Sequence, residues 1–177
     1  MDDDDGAHMC NGSDDEEAAF QQAAGFLMLG LLDDCEDLLD SLQASPDFAI
    51  NLADLRINLA AERKDWHRML ELSLHVITAY PDQLWGYIHR SYALREVGQI
   101  QTALDTLAIA LKRADSAKAS PLETSVLHYN IACYQCLLHR KEEAFQNLQK
   151  AVSIDPRLML DAKSDEDLKE VVELLDY

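Results

Sequence analysis

Apolar residues recur along most of this chain at spacings of three and four, the mark of amphipathic helices, and short polar corners interrupt them. The stretch "YNIACYQCLLHRKEEAFQNLQKAVSIDP", residues 129–156, shows the unit most clearly. Two helical stripes meet at a polar corner. Small residues, Ala132, Ala144 and Ala151, stand where a helix interior usually carries something larger. Pro156 then ends the second stripe, because it has no N–H and crowds the turn before it.

The same arrangement occurs elsewhere. Aligned on the small residue and on the residues four and seven positions later, "AFQNLQKA" (Ala144, Leu148, Ala151) matches "ALDTLAIA" (Ala103, Leu107, Ala110). It also matches "MLELSLHV" (Met69, Ser73, Val76) and "CEDLLDSL" (Cys35, Leu39, Leu42). The starting residues, 35, 69, 103 and 144, lie 34, 34 and 41 apart.

Two helices per 34-residue period resemble the tetratricopeptide repeat (TPR). Four units follow, 16–49, 50–83, 84–117 and 125–158, so the resemblance covers nearly the whole chain. Unit four matches best. Unit three matches with Tyr87, Gly98, Ala103, Leu107 and Ala110. Unit two departs at Met69 and Ser73 but keeps Pro81; unit one has Gly30 at its corner but Cys35 in place of alanine. The resemblance implies an all-α, right-handed TPR solenoid in which each small side chain lets two helices cross closely. It also gives an impression of bacterial origin.

Local signals refine the elements. Ser120-Pro121-Leu122-Glu123 predicts a helix start with a capping box. Ser45-Pro46 is a weaker start of the same kind. The seven extra residues fall in "ADSAKASP" and either extend a helix or lengthen a loop. "SDEDLKEVVELLDY" predicts a C-terminal capping helix over 164–175, with Ser164 as its cap and Leu168, Val171, Val172 and Leu175 along one face. A single domain over 10–177 is expected, behind a leader, residues 1–9 ("MDDDDGAHM"), that reads as a disordered cloning remnant.

Charge narrows the partners. Residues 1–55 hold 15 Asp and Glu and no Lys or Arg; residues 56–177 hold 18 acids and 15 bases. Nucleic acid and anionic membrane both require a basic footprint, so neither is expected as a partner. No apolar run is long enough to span a bilayer, and a cytoplasmic location is the default. The acidic run Asp14–Glu17 and the pairs Asp33-Asp34 and Glu142-Glu143 stand where helices begin, and there they favour the helix dipole.

No glycine-rich phosphate loop, nucleophile elbow or metalloprotease helix appears, and His67, His75, His89, His128 and His139 are scattered. Cys10, Cys35, Cys133 and Cys136 do not form a disulfide framework. Cys133-x-x-Cys136 lies within a helical stripe without a second pair, so no cofactor or metal is expected. A small metal protein or enzyme using these two thiols and a nearby histidine is one alternative. A self-assembling, homodimeric helical module is another.

The main expectation is a non-catalytic scaffold. In TPR proteins the first helix of each hairpin lines a concave groove that receives an extended peptide. By repeat alignment the resemblance places Asn58, Trp85, Ile88, His89, Tyr92, Arg95, Tyr129 and Asn130 on that surface, along with Phe20, Ala24, Leu27, Asp54, Cys133 and Cys136. Trp85, Ile88, Tyr92 and Arg95 are spaced to share one helix face. Trp, Tyr and Arg are also the side chains enriched at binding hot spots. The basic cluster with which some TPR proteins hold the C-terminal carboxylate of heat-shock chaperones is missing: its basic positions hold Asp54, Val126 and Asn130, and only Asn58 fits. Arg95 is left as a candidate partner for a carboxylate on some other peptide.

Overall fold

Four left-handed corners punctuate the run of helices. In the computed structural model, which describes residues 12–42, 45–46, 48–114 and 116–174, the backbone turns left-handed at Gly30, Lys64, Gly98 and His139, with φ of 73°, 56°, 79° and 60°. These positions repeat with the same intervals as the small residues. Each closes the helix before it. The Gly98 N–H donates to the Arg95 carbonyl (2.9 Å) and the Gln99 N–H to the Leu94 carbonyl (2.8 Å). The same pair of bonds ends the helices before Gly30 and His139.

Between the corners run α1 (Gly12–Met28), α2 (Leu32–Ser41), α3 (Ala49–Glu62), α4 (Trp66–Ala79), α5 (Leu84–Glu96), α6 (Ile100–Arg113), α7 (Pro121–Leu137) and α8 (Lys141–Ile154). Short helices α9 (Leu158–Ser164) and α10 (Lys169–Val172) follow, joined by a 3-10 turn at Glu166–Leu168. The described residues are all-α, without a strand.

The chain divides into two compact units, Met1–Lys64 and Asp65–Tyr177, at the second corner, within the expected hairpin 50–83. In the N-terminal unit, Ala23, Cys35, Leu39, Leu52, Leu55 and Leu59 form the core, with Phe20 edge-on to Phe48 at 5.5 Å. In the C-terminal unit each helix from α4 to α8 packs on the next, and one core runs from Leu84 to Val172. That succession of nearest neighbours is the packing of a helical solenoid.

Eleven of the twelve aligned positions are buried; Leu42, just past the end of α2, is half-buried. Ala103, Ala110, Ala144 and Ala151 are fully buried, and so are the departures from the repeat, Cys35, Met69 and Ser73. Ser73 is accommodated because its hydroxyl donates to the Met69 carbonyl at 2.7 Å, leaving no buried donor without a partner. One close approach has no alignment signal: a Cβ on Gly86 would stand 2.9 Å from Val76 Cγ1.

Several elements differ from their sequence expectation. The capping box at Ser120 and Glu123 forms, with Pro121 in the first turn of α7. The "ADSAKASP" insertion lengthens the loop, which turns left-handed at Lys118, and α7 runs 17 residues against 13 for α5. Ser45 does not cap α3; its N–H and hydroxyl both donate to Glu16, each at 2.7 Å. A continuous helix over 164–175 does not form. Ser164 ends α9, and the Asp165 side chain accepts the Asp167 N–H at 2.9 Å, tightening the chain into the 3-10 turn before α10. Leu168, Val171 and Val172 are nonetheless buried, as the amphipathic pattern requires. Leu175, the leader 1–9, Cys10 and the Asp14 side chain lie outside the described residues. Among the described residues no helix is long and apolar enough to cross a membrane.

Candidate functional site

The predicted groove residues fall in both units. Asn58 is on α3, half-buried, in the N-terminal unit. The other seven belong to the C-terminal unit, on α5 and α7. There a pocket of about 220 Å3 opens between the first helices of adjacent hairpins. Tyr92 and Arg95 line it from α5, Asn130, Cys133 and Tyr134 from α7, and Asp165 and Asp167 from the C-terminal turn.

Three of the predicted residues, Tyr92, Arg95 and Asn130, meet in this pocket. Tyr129 is tied to it, since its hydroxyl donates to Asp165 at 2.9 Å. Trp85 and His89 form an edge-on pair of their own, 5.8 Å between ring centres, and the Trp85 indole N–H donates to Gln83 at 3.2 Å. Ile88 packs against the core. Tyr92 is 41% exposed and stands edge-on to Trp66 at 5.7 Å.

Arg95 has a different role from the one the sequence suggested. Its guanidinium donates to Asp167 at 2.6 Å and to the neighbouring Glu96. Burial works against its charge, but the two carboxylates outweigh burial and raise its pKa above the ordinary arginine value. Arg95 is thus a structural cation clamped by the chain's own C-terminal turn.

That turn is anchored by burial. Behind it Leu168 and Val171 are fully buried and Val172 nearly so. Each such aliphatic side chain contributes roughly 1.5–3 kcal/mol, so lifting the turn off α7 costs more than one surface ion pair returns. Tyr134, Asp165, Asp167 and Trp66 were not singled out from the sequence. The acids after Ser164 read there only as part of a capping helix, with no signal that they fold back onto α5 and α7.

Cys133 and Cys136 sit in surroundings that favour the neutral thiol. Burial, then Asp165, pushes the Cys133 thiol well up, and its sulfur lies 3.6 Å from the Asp165 carboxylate. Burial, then Glu170, pushes Cys136 up to about 11. A cysteine tuned as a nucleophile shows the opposite shift. His128 is hydrogen-bonded to Asn147 at 2.8 Å. Among the described residues no group of three or more His, Cys, Asp or Glu is arranged to hold a metal. Burial also raises the Tyr134 hydroxyl to about 12, so it is neutral at physiological pH.

The fold is that of the TPR-like helical repeat proteins. A thermophilic TPR protein from Thermus thermophilus superposes with a TM-score of 0.66 at 17% identity, over 90% of this chain and 82% of that one. MamA from MSR-1 gives 0.60 at 23% identity, over 80% and 78%. MamA from AMB-1 gives 0.58 at 22%, over 79% and 78%. No protein-family model and no curated protein matches the chain.

Proposed function

We propose that this chain is a non-catalytic protein-interaction scaffold that holds a peptide or protein partner over the face formed by α5 and α7. The observation that carries the reading is the pocket between these helices, rimmed by the exposed Tyr92 and by Asn130. First helices of adjacent hairpins supply its side walls, and a half-exposed tyrosine braced by Trp66 is a hot-spot type of side chain held in a rigid position. The test is capture with the immobilised chain, comparing wild type with a Tyr92→Ala, Asn130→Ala variant whose helicity is unchanged by circular dichroism. A partner held by wild type and lost by the variant supports the site. A partner retained equally by both overturns it.

A second reading, self-assembly, has one observation in its favour. At the α1–α2 corner Met28, Leu29 and Leu31 are 88%, 75% and 43% exposed, three large apolar side chains within four residues. Light scattering across a hundredfold concentration range decides it. A constant monomer mass removes the self-assembly reading, and a mass that grows with concentration and is lost in Met28→Ser, Leu29→Ser supports it.

A further inference from the structure

We infer that the pocket between α5, α7 and the C-terminal turn selects a basic side chain, a lysine or arginine of the bound partner. The inference rests on the scaffold reading and specifies its ligand.

Charge balance comes first. Two carboxylates and one guanidinium line the pocket, and a third carboxylate, Glu96, shares that guanidinium. Arg95 spends its charge on Asp167 and Glu96. Among the described residues the partners of Asp165 are neutral: the Tyr129 hydroxyl, the Cys133 thiol and the Asp167 backbone N–H. The cavity therefore holds excess negative charge, with a half-buried carboxylate satisfied by hydrogen bonds yet not neutralised. An incoming anion meets that field and finds the one lining cation already engaged, whereas an incoming cation is attracted.

The aromatic rim agrees with the charge. Tyr92 lines the cavity and is exposed, and its ring is held by the perpendicular contact with Trp66. Ring faces attract ammonium and guanidinium groups through their quadrupole, and that attraction adds to the carboxylates. Size sets the last limit. At about 220 Å3 the cavity is smaller than the roughly 300–1,000 Å3 of small-molecule sites. It suits one side chain entering from a partner that lies across the surface. The buried Leu168 and Val171 anchor the turn that carries Asp165 and Asp167.

The experiment is an NMR titration of the isotope-labelled full chain with four amidated, acetylated peptides, Gly-Ala-Leu-X-Leu-Ala-Gly, where X is Lys, Arg, Gln or Glu. The expected result is that the Lys and Arg peptides shift the Tyr92, Asn130 and Cys133 amides, with apparent Kd at least fivefold lower than the Gln peptide. The Glu peptide should bind most weakly. Asp165→Asn keeps the side-chain shape and one oxygen to accept the Asp167 N–H, places an NH2 group against the Tyr129 hydroxyl and the Cys133 sulfur, and removes the charge; it should reduce the Lys-over-Gln preference at least threefold. Tyr92→Ala, a change at an exposed ring, should weaken both basic peptides. Equal or tighter binding of the Gln or Glu peptide at the same amides overturns the basic-side-chain inference and leaves the scaffold reading standing. No shift at these amides with any peptide also overturns it. The scaffold reading falls separately, when the captured partner is retained by the Tyr92→Ala, Asn130→Ala variant.

Discussion

The two compact units use the same helical hairpin and complete it differently. In the C-terminal unit, α4 to α8 stack in succession, and the chain returns as α9, the 3-10 turn and α10 to seal the stack with Leu168, Val171 and Val172. Among the described residues the N-terminal unit has three helices and a smaller core. Polar links support it: Arg63 to Asp33 (2.6 Å) and Glu36 (2.8 Å), Arg56 to Asp40 (2.6 Å), and Glu16 to Ser45. Surface ion pairs are worth about 0–1 kcal/mol each, less than one buried leucine. Burial therefore sets the expected order, with the C-terminal unit the more stable. The difference shows that the repeat pattern specifies hairpins, while stability depends on how many hairpins share one core and on what covers the end.

The largest expected effect comes from removing a buried leucine in each unit. Leu148→Ala and Leu39→Ala both leave cavities at fully buried positions and should each cost about 2–5 kcal/mol. In urea unfolding followed by residue-resolved hydrogen exchange, Leu39→Ala should melt α1–α3 while α5–α8 stay protected. Loss of protection in both units together would remove the distinction between them. Next comes overpacking. Gly86→Ala places a methyl against the buried Val76, and Ala144→Leu forces bulk into a fully buried site; each should lower stability by about 1–3 kcal/mol. An unchanged melting temperature for either variant would contradict the close helix crossing there.

The thiols compare the units without mutation. Cys35 and Cys133 are both buried, so each reacts only when its own unit opens. Alkylation read by peptide mass spectrometry should label Cys35 at least about tenfold faster than Cys133, a difference of about 1.4 kcal/mol in opening free energy. Equal rates would mean the units open as one. Half-buried Cys136 gives the pH control. A thiol titrating near 11 is neutral below that pH and nucleophilic above it, so its labelling rate should keep rising with pH until about 11. A plateau near pH 8.5, about where a free thiol titrates, would show that burial and Glu170 do not raise it.

The smallest effects lie at the corners. Gly98→Ala puts a side chain on a residue at φ 79° and should cost about 1 kcal/mol. His139→Gly relieves the same strain at φ 60° and should be neutral or stabilising by a few tenths of a kcal/mol. Melting temperatures that move in the opposite directions would break the equivalence of the two corners.

Legibility followed the range of the interaction. The capping box at Ser120, the stop at Pro156 and the inward face of Ala103, Ala144 and Ala151 could be read because their causes act within one turn or recur every repeat. Two of the four left-handed corners carry glycine and announce themselves; Lys64 and His139 adopt the same backbone without that signal. Gly86 sits in the middle of α5, and nothing local reveals that Val76 stands against it. At the pocket, Tyr92, Arg95 and Asn130 could be chosen by helix spacing and repeat alignment, but their surroundings could not.

By itself the sequence determined that this protein is a series of helical hairpins and which face of each helix is apolar, because helix periodicity is local and the repeat states it several times. Only the tertiary structure decided that Arg95 spends its charge on Asp167, 72 residues away, and that the expected last helix breaks into a turn whose carboxylates wall the pocket. The acids after Ser164 look alike along the chain. Which of them meets a cation depends on how the chain folds back, and no short-range rule contains that.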